Sequence, residues 1–148
     1  MRERYKKNVI DNDSPPNRNQ TWTMDYLHVA LPSSSVLEYR RECQRLFTAF
    51  NIPVREWSLW GRTDLFSFMI SNPSPLDDKN RTEVSEIVDH ILMLAQDLGG
   101  TMEYCHGVGM KHLHLFPRDQ GQRMDILRKL KSSVDPNDIL NPGKLGLG

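Results

Sequence analysis

A histidine set among glycines, in the run His106-Gly107-Val108-Gly109, with His112 and His114 just beyond, is the stretch of this sequence best suited to chemistry. Glycine lets a backbone pass close to a ligand, and an imidazole donates a hydrogen bond or exchanges a proton near neutral pH. The tail DPNDILNPGKLGLG, with Asn141, Pro142 and Gly143 at its centre, is the second candidate, for it also places permissive backbone beside polar side chains. Asn-Pro-Gly is equally a good turn, and Asp135-Pro136 a good helix stop, on chemical grounds alone. Cys105, His106, His112 and His114 supply the thiolate and imidazoles that zinc takes. Their spacing opposes it, since adjacent ligands on a continuing strand point to opposite sides, and no metal is expected. Gly107 and Gly109 follow a predicted strand but open onto a loop, so they are not a dinucleotide fingerprint. His28 and His90 stand alone on a predicted strand and helix, where a hydrogen-bonded structural histidine is the default. Arg55, Arg62 and Arg118 have the fork that grips a carboxylate, and Arg62, in a predicted turn, is the candidate for a substrate contact.

The elements that must position these groups follow from periodicity. TWTMDYLHVAL, from Thr21, has the aromatic and β-branched content of a strand and ends at Pro32. From Ser34 to Phe50, Val36, Tyr39, Cys43, Leu46, Phe47 and Phe50 fall at helical spacing, with arginines on the other faces. VREWSLW and DLFSFMI predict two strands joined across Gly61, Arg62 and Thr63, followed by a loop rich in Pro and Asp. A second helix starts near Lys79, carries Val84, Ile87, Val88, Ile91, Leu92, Ala95 and Leu98 on one side, and stops at Gly99 and Gly100. Thr101 to Cys105 is expected as a fourth strand, and a last helix from about Gln122 to Ser133 should bury Met124, Leu127, Leu130 and Val134. The class is therefore α+β: a ferredoxin-like antiparallel sheet in the order βαββαβ, two helices on one face, then a C-terminal helix and tail.

At 148 residues the chain has room for one core, with residues 1–20 read as a flexible tail or linker and 21–148 as the domain. Its 38% hydrophobic and 26% charged residues belong to neither disordered nor membrane chains. Lys+Arg and Asp+Glu balance at 19 each, so no global field draws a polyanion and nucleic acid is not an expected partner. No stretch approaches the roughly 18 apolar residues of a membrane span, and the N-terminus lacks a secretion signal. With only Cys43 and Cys105, far apart, a reduced setting and the cytoplasm are expected.

GGTMEYCHGVGMKH, followed by a helix and then KSSVDPNDILNPGKLG, resembles the end of the FAD-linked oxidase C-terminal domain of D-lactate dehydrogenases, glycolate oxidase subunits and alkyl-dihydroxyacetonephosphate synthase. These belong to the vanillyl-alcohol oxidase superfamily. The resemblance extends more weakly from about Thr21 to Gly148, and only the HGVG and DPNDILNPGK segments are specific. It implies a domain that closes over a flavin held mainly by a separate FAD-binding domain or subunit, which this chain is expected to lack. By this resemblance His106 matches the family's loop histidine, the catalytic candidate. Gly107 and Gly109 match the glycines that approach the cofactor, and Asn141, Pro142 and Gly143, with Lys144, match a closing turn toward FAD. In the hydroxy-acid branch an acidic residue precedes the loop histidine and strand histidines join it around a metal. Here Cys105 stands before His106, and Trp57, Leu59, Trp60, Phe66 and Phe68 fill the hairpin, so that metal site is not expected. An apolar hairpin suits an aromatic or aliphatic substrate, though a sheet face packed under helices is its ordinary role.

Two functions of different kind follow. In one, the chain is part of an FAD-dependent oxidoreductase acting on a small hydroxy acid or alcohol, where flavin N5 accepts a hydride and this domain orients the substrate. In the other, it is a non-catalytic ferredoxin-like interaction module or degenerate fragment. Isolated, the chain is expected to be inactive, and an apolar face is expected to meet a partner or a second copy.

Overall fold

In a computed structural model, residues 24–71 and 78–147 are described, with backbone alone for 78–81. The N-terminal tail, Thr21 to Thr23 of the first expected strand, and the Pro- and Asp-rich loop lie outside the described residues. The order is β1 (Met24–Ala30), α1 (Val36–Ala49), β2 (Val54–Leu59), β3 (Leu65–Ser71), α2 (Asp78–Asp97), a single 3-10 turn Leu113–Leu115, α3 (Phe116–Gln120), α4 (Arg123–Val134) and a last 3-10 turn Lys144–Gly146.

The sheet is antiparallel in the order β1-β3-β2. Alternation along the strands separates its faces. Leu27, Val29, Phe66, Phe68 and Ile70 enter one core with Val36, Tyr39, Cys43 and Phe47 of α1 and Val88, Ile91, Leu92 and Ala95 of α2. Both helices thus cover the same face. Trp57 belongs to that core layer: it stacks on Phe66 with 5.6 Å between ring centres, tilts against Phe47, and carries the Arg40 guanidinium 5.1 Å above it. The hairpin aromatics Trp57, Phe66 and Phe68 therefore pack the domain, whereas Leu59 and Trp60 face outward.

α2 ends as its glycines predict. Gly99 adopts a left-handed φ of +79°, and Gly100 passes so close to β1 that a Cβ there would strike the Ala30 and Ala95 carbonyl oxygens. That approach permits the two bonds Ala30 N–H to Thr101 O, 3.2 Å, and Thr101 N–H to Ala30 O, 2.8 Å.

Two expectations need correction. The strand expected over Thr101 to Cys105 is a single bridge, Ala30 with Thr101, on the free edge of β1. The chain leaves the edge at once because Glu103 turns back to accept the backbone N–H groups of Cys105 and His106, at 2.6 and 2.9 Å. Of the four strands expected, three form the antiparallel sheet, with a single bridge at the edge where the fourth would lie. The second correction concerns α4. Met124 is buried and Leu127 half-buried, but Leu130 and Val134, expected in the core, are 58% and 67% exposed, in line with Ile126 at 66%. These three, four residues apart, form one apolar stripe along α4, because i, i+4 and i+8 share a helix face.

Beyond α4 one carboxylate shapes the tail. Asp135, buried, accepts the N–H groups of Ile139 and Leu140, each at 2.9 Å, and pairs with Lys131. The Lys131 ammonium also donates to the Leu140 carbonyl at 2.7 Å and reaches Asp138 at 2.8 Å. The bend forces positive φ on Asp138 and Asn141, residues that tolerate it, and on Gly143.

Candidate functional site

The sheet face away from the helices carries polar side chains in register. One row is Tyr26, Met69 and Glu56; the next is His28, Ser67 and Ser58. Tyr26 donates its hydroxyl to Glu56 at 3.0 Å, and Ser58 donates to the same carboxylate. Ser67, fully buried, lies 2.7 Å from His28 Nδ1 and 3.0 Å from the Tyr104 hydroxyl.

The loop after the bridge brings His106 onto this face. Its ring meets that of His28 edge-on, 4.6 Å between centres, while Tyr26 and Tyr104 meet His28 edge-on at 4.5 and 5.6 Å. His28 is 3% exposed, and its Nε2, fully enclosed, has no hydrogen-bond partner. Burial lowers the pKa of His28; the His106 charge adds to this and Glu103 opposes it, so His28 is neutral at pH 7. His106 itself is exposed. Glycine is required on both sides of Val108, for Gly107 and Gly109 have φ of +74° and +54°, and a Cβ at either would meet no heavy atom within 4 Å. The space above the loop is open to a ligand. Val108, buried, roots the loop between them in the core.

The rest of the loop is tied down. Lys111 pairs with Asp25 of β1, and His114 Nε2 lies 2.7 Å from Asp89 of α2. His112, between them, is pushed down to about 4, first by burial and then by the Lys111 charge. Among the described residues no group of three or more His, Cys, Asp or Glu side chains is arranged to hold a metal.

Other sequence candidates are placed elsewhere. Arg62 is exposed in its turn and engages Asp64 through two hydrogen bonds of 2.9 and 2.7 Å. Arg55 donates to Ser71 at 2.7 Å, and Arg118 to the Met93 carbonyl at 3.0 Å and to Asp97. Asn141, Pro142 and Gly143 are exposed, and the turn after them lies against the 113–115 turn, Gly146 beside Leu113, with no hydrogen bond to His106. His90 is exposed on α2. His28 is buried and hydrogen-bonded to Ser67, as expected of a structural histidine, and its ring also meets that of His106. Its place two residues from Tyr26, on the face opposite Leu27 and Val29, was the available signal. Glu103, which shapes the turn into His106, lies three residues before it and carries no signal in the sequence that separates it from a solvated surface carboxylate.

The sheet thus has one face under helices and the other bearing an exposed imidazole on a glycine loop, backed by a buried one, an arrangement chemically able to exchange a proton with a ligand. The open glycine backbone and the orphaned Nε2 fit the reacting end of a cofactor and substrate. They offer nothing for a pyrophosphate, since the loop runs into the one-turn 113–115 segment and not into a long helix. The family comparison agrees: residues 12–145 match the model of FAD linked oxidases, C-terminal domain, and the chain belongs to that family. FAD is therefore the cofactor that the domain serves, and its class is a domain of an FAD-dependent oxidoreductase. Among similar proteins are D-lactate dehydrogenase of Anaerostipes hadrus, 25% identical over 84% of this chain and 26% of the relative, and glycolate oxidase subunit GlcD of Bacillus subtilis, 37% identical over 47% and 16%. The mitochondrial D-lactate dehydrogenase [cytochrome] 1 of Saccharomyces cerevisiae is 25% identical over 93% of this chain and 22% of its own. The chain spans about a quarter of the length of such relatives.

Proposed function

We propose that this domain closes over the flavin of an FAD-dependent oxidoreductase and walls the pocket of a small hydroxy acid or alcohol, with His106 exchanging the substrate hydroxyl proton. The observation that carries this is His106 itself, exposed on a glycine-flanked loop and backed by His28 on the helix-free face of the sheet. The flavin, when bound, supplies the acceptor for the substrate's hydride. The chain's residues do the rest. Glu103 fixes the backbone at His106, Gly107 and Gly109 let that backbone approach the ligand, and Tyr26 and Tyr104 pack edge-on against His28 behind it. Asn141, Pro142 and Gly143 form the turn that faces the flavin once an FAD-binding domain or subunit is in place. Arg62 is the proposed carboxylate contact, its guanidinium exposed and free to exchange Asp64 for substrate. A 2-hydroxy acid is supported by relatives named for D-lactate and glycolate. For location we propose the cytoplasm, supported by two free thiols, Cys43 buried and Cys105 exposed; no described helix is long and apolar enough to cross a membrane.

The test is flavin reduction by D-lactate and by glycolate in the protein assembled with its FAD-binding domain. Replacing His106 by Ala should slow reduction about a hundredfold or more, as loss of a proton-transfer group does, with His90→Ala near the parent rate. Reduction unaltered by His106→Ala would overturn the assignment.

A further inference from the structure

We propose that Lys131 and Asp135 are positioning residues for the cofactor: the clasp they form holds the turn Asn141-Pro142-Gly143 at a set place relative to the His106 loop, so that both reach one ligand. The inference rests on the reading of that turn as the part of the tail that faces the flavin, and it adds the residues that aim it.

The clasp is made of bonds whose directions leave no choice. Asp135, 3% exposed, accepts from three donors: the Ile139 and Leu140 N–H groups, each at 2.9 Å, and the Lys131 ammonium. Lys131, with 15% of its side chain exposed, donates in addition to the Leu140 carbonyl at 2.7 Å and meets Asp138 at 2.8 Å. An ammonium has three hydrogens and no acceptor, and all three are engaged. Leu140 is thus gripped at its N–H by Asp135 and at its C=O by Lys131, and that C=O belongs to the peptide that enters Asn141. The far end of the turn is held as well. The Lys144 N–H donates to the Asn141 carbonyl at 3.3 Å, and Gly146 lies against Leu113. Leu113 stands in the segment that Lys111 and His114 tie to β1 and α2, a few residues beyond His106. Turn and loop therefore share one frame. Between its two anchors the turn is open: a Cβ on Gly143 would meet no heavy atom within 4 Å.

Ending a helix requires none of this, since Asp-Pro or a glycine stops one without a buried charge. Taking an ammonium and a carboxylate out of water gains little net stability, so what the pair supplies is direction. Each keeps the other ionised. The hydrogen bond from Lys131 draws the Asp135 carboxyl below its usual range, and the bonds to Asp135 and Asp138 push Lys131 up, so the clasp is closed at neutral pH.

Amide exchange in the 15N-labelled chain reads the clasp without any flavin. Ile139 and Leu140 should exchange about tenfold or more slowly than in an unstructured peptide. Lys131→Met or Asp135→Asn should remove that protection, and Lys129→Met, exposed on the same helix, should leave it. In the protein assembled with its FAD-binding domain, Lys131→Met should weaken FAD retention about tenfold or more, read as free-flavin fluorescence on dilution. Lys129→Met should stay within about threefold of the parent, and so should Leu46→Ala, a core variant chosen to lower the melting temperature without touching the tail. Unprotected Ile139 and Leu140 amides in the parent overturn the inference, as does FAD retention that Lys131→Met leaves unchanged or that Leu46→Ala lowers equally. Gly143→Val, which puts bulk on the turn itself, separates the two readings. If it releases FAD and Lys131→Met does not, the clasp assignment falls alone. If neither variant releases FAD, or the assembled parent holds none, the turn does not face the flavin and the inference falls with that reading.

Discussion

Acidification should weaken this fold through His112, the histidine wedged between the two ion pairs that tie down the loop. Burial and the neighbouring Lys111 hold it at about 4, against 6.5 in an unfolded chain, with Asp25 and Asp89 opposing and His114 reinforcing. Above pH 6.5 the ring is neutral in both states and contributes no pH dependence. Between 6.5 and 4 the unfolded chain takes up a proton that the folded chain refuses, so stability falls over that window and levels off below it. At about 1.4 kcal/mol per pH unit the gap of about 2.5 units amounts to about 3.4 kcal/mol, and the partial exposure of the ring trims this to about 2–3 kcal/mol. Urea unfolding followed by tryptophan fluorescence, from pH 7.5 to 4.5, measures it. Carboxylates and other histidines titrate in the same range, so the comparison is with His112→Asn, in which this contribution is gone. The variant should lose about 2 kcal/mol less than the parent on going to pH 4.5. Parallel curves for the two proteins would show that His112 is hydrated in the folded state and that the reasoning from burial is wrong.

Other outcomes follow from the fold. Gly100→Ala, which thrusts a methyl against two backbone carbonyls, should cost about 3 kcal/mol or more, whereas Gly61→Ala, strained only by its φ of +70°, should cost about 1–2; thermal melts compare them. The chain alone should purify colourless, with no absorbance near 450 nm, because a cap leaves the flavin most of its surface in water; a yellow preparation would contradict the proposed division of labour. Sedimentation of the isolated chain should show association through the α4 stripe, and Ile126→Glu combined with Leu130→Lys should abolish it without lowering the melting temperature, since both side chains are more than half exposed.

Elements with strong periodicity were legible from sequence: α1, the β2–β3 hairpin, and α2 with its glycine stop. What escaped was decided by tertiary geometry. The fourth strand was lost to a competing local bond, the Glu103 carboxylate capturing two backbone donors that a ladder would have used. Leu130 and Val134 have the spacing of core residues, and spacing marks a face without saying what covers it. At the candidate site, His106 was marked by its glycines, while the contacts of His28 were not legible because they are with a ring 78 positions away and a serine across the sheet.

The Asp135 bend has a consequence for assembly. Its geometry is written by groups within nine residues of one another: two N–H bonds to one carboxylate and the Lys131 ammonium that returns to Leu140. Such a segment holds its shape before anything touches it. The exposed Ile139 and Leu140 are consequently presented on a preshaped bend just after α4. A partner docking on this bend would forfeit little chain entropy, meeting a preformed part and not a strand that folds on contact.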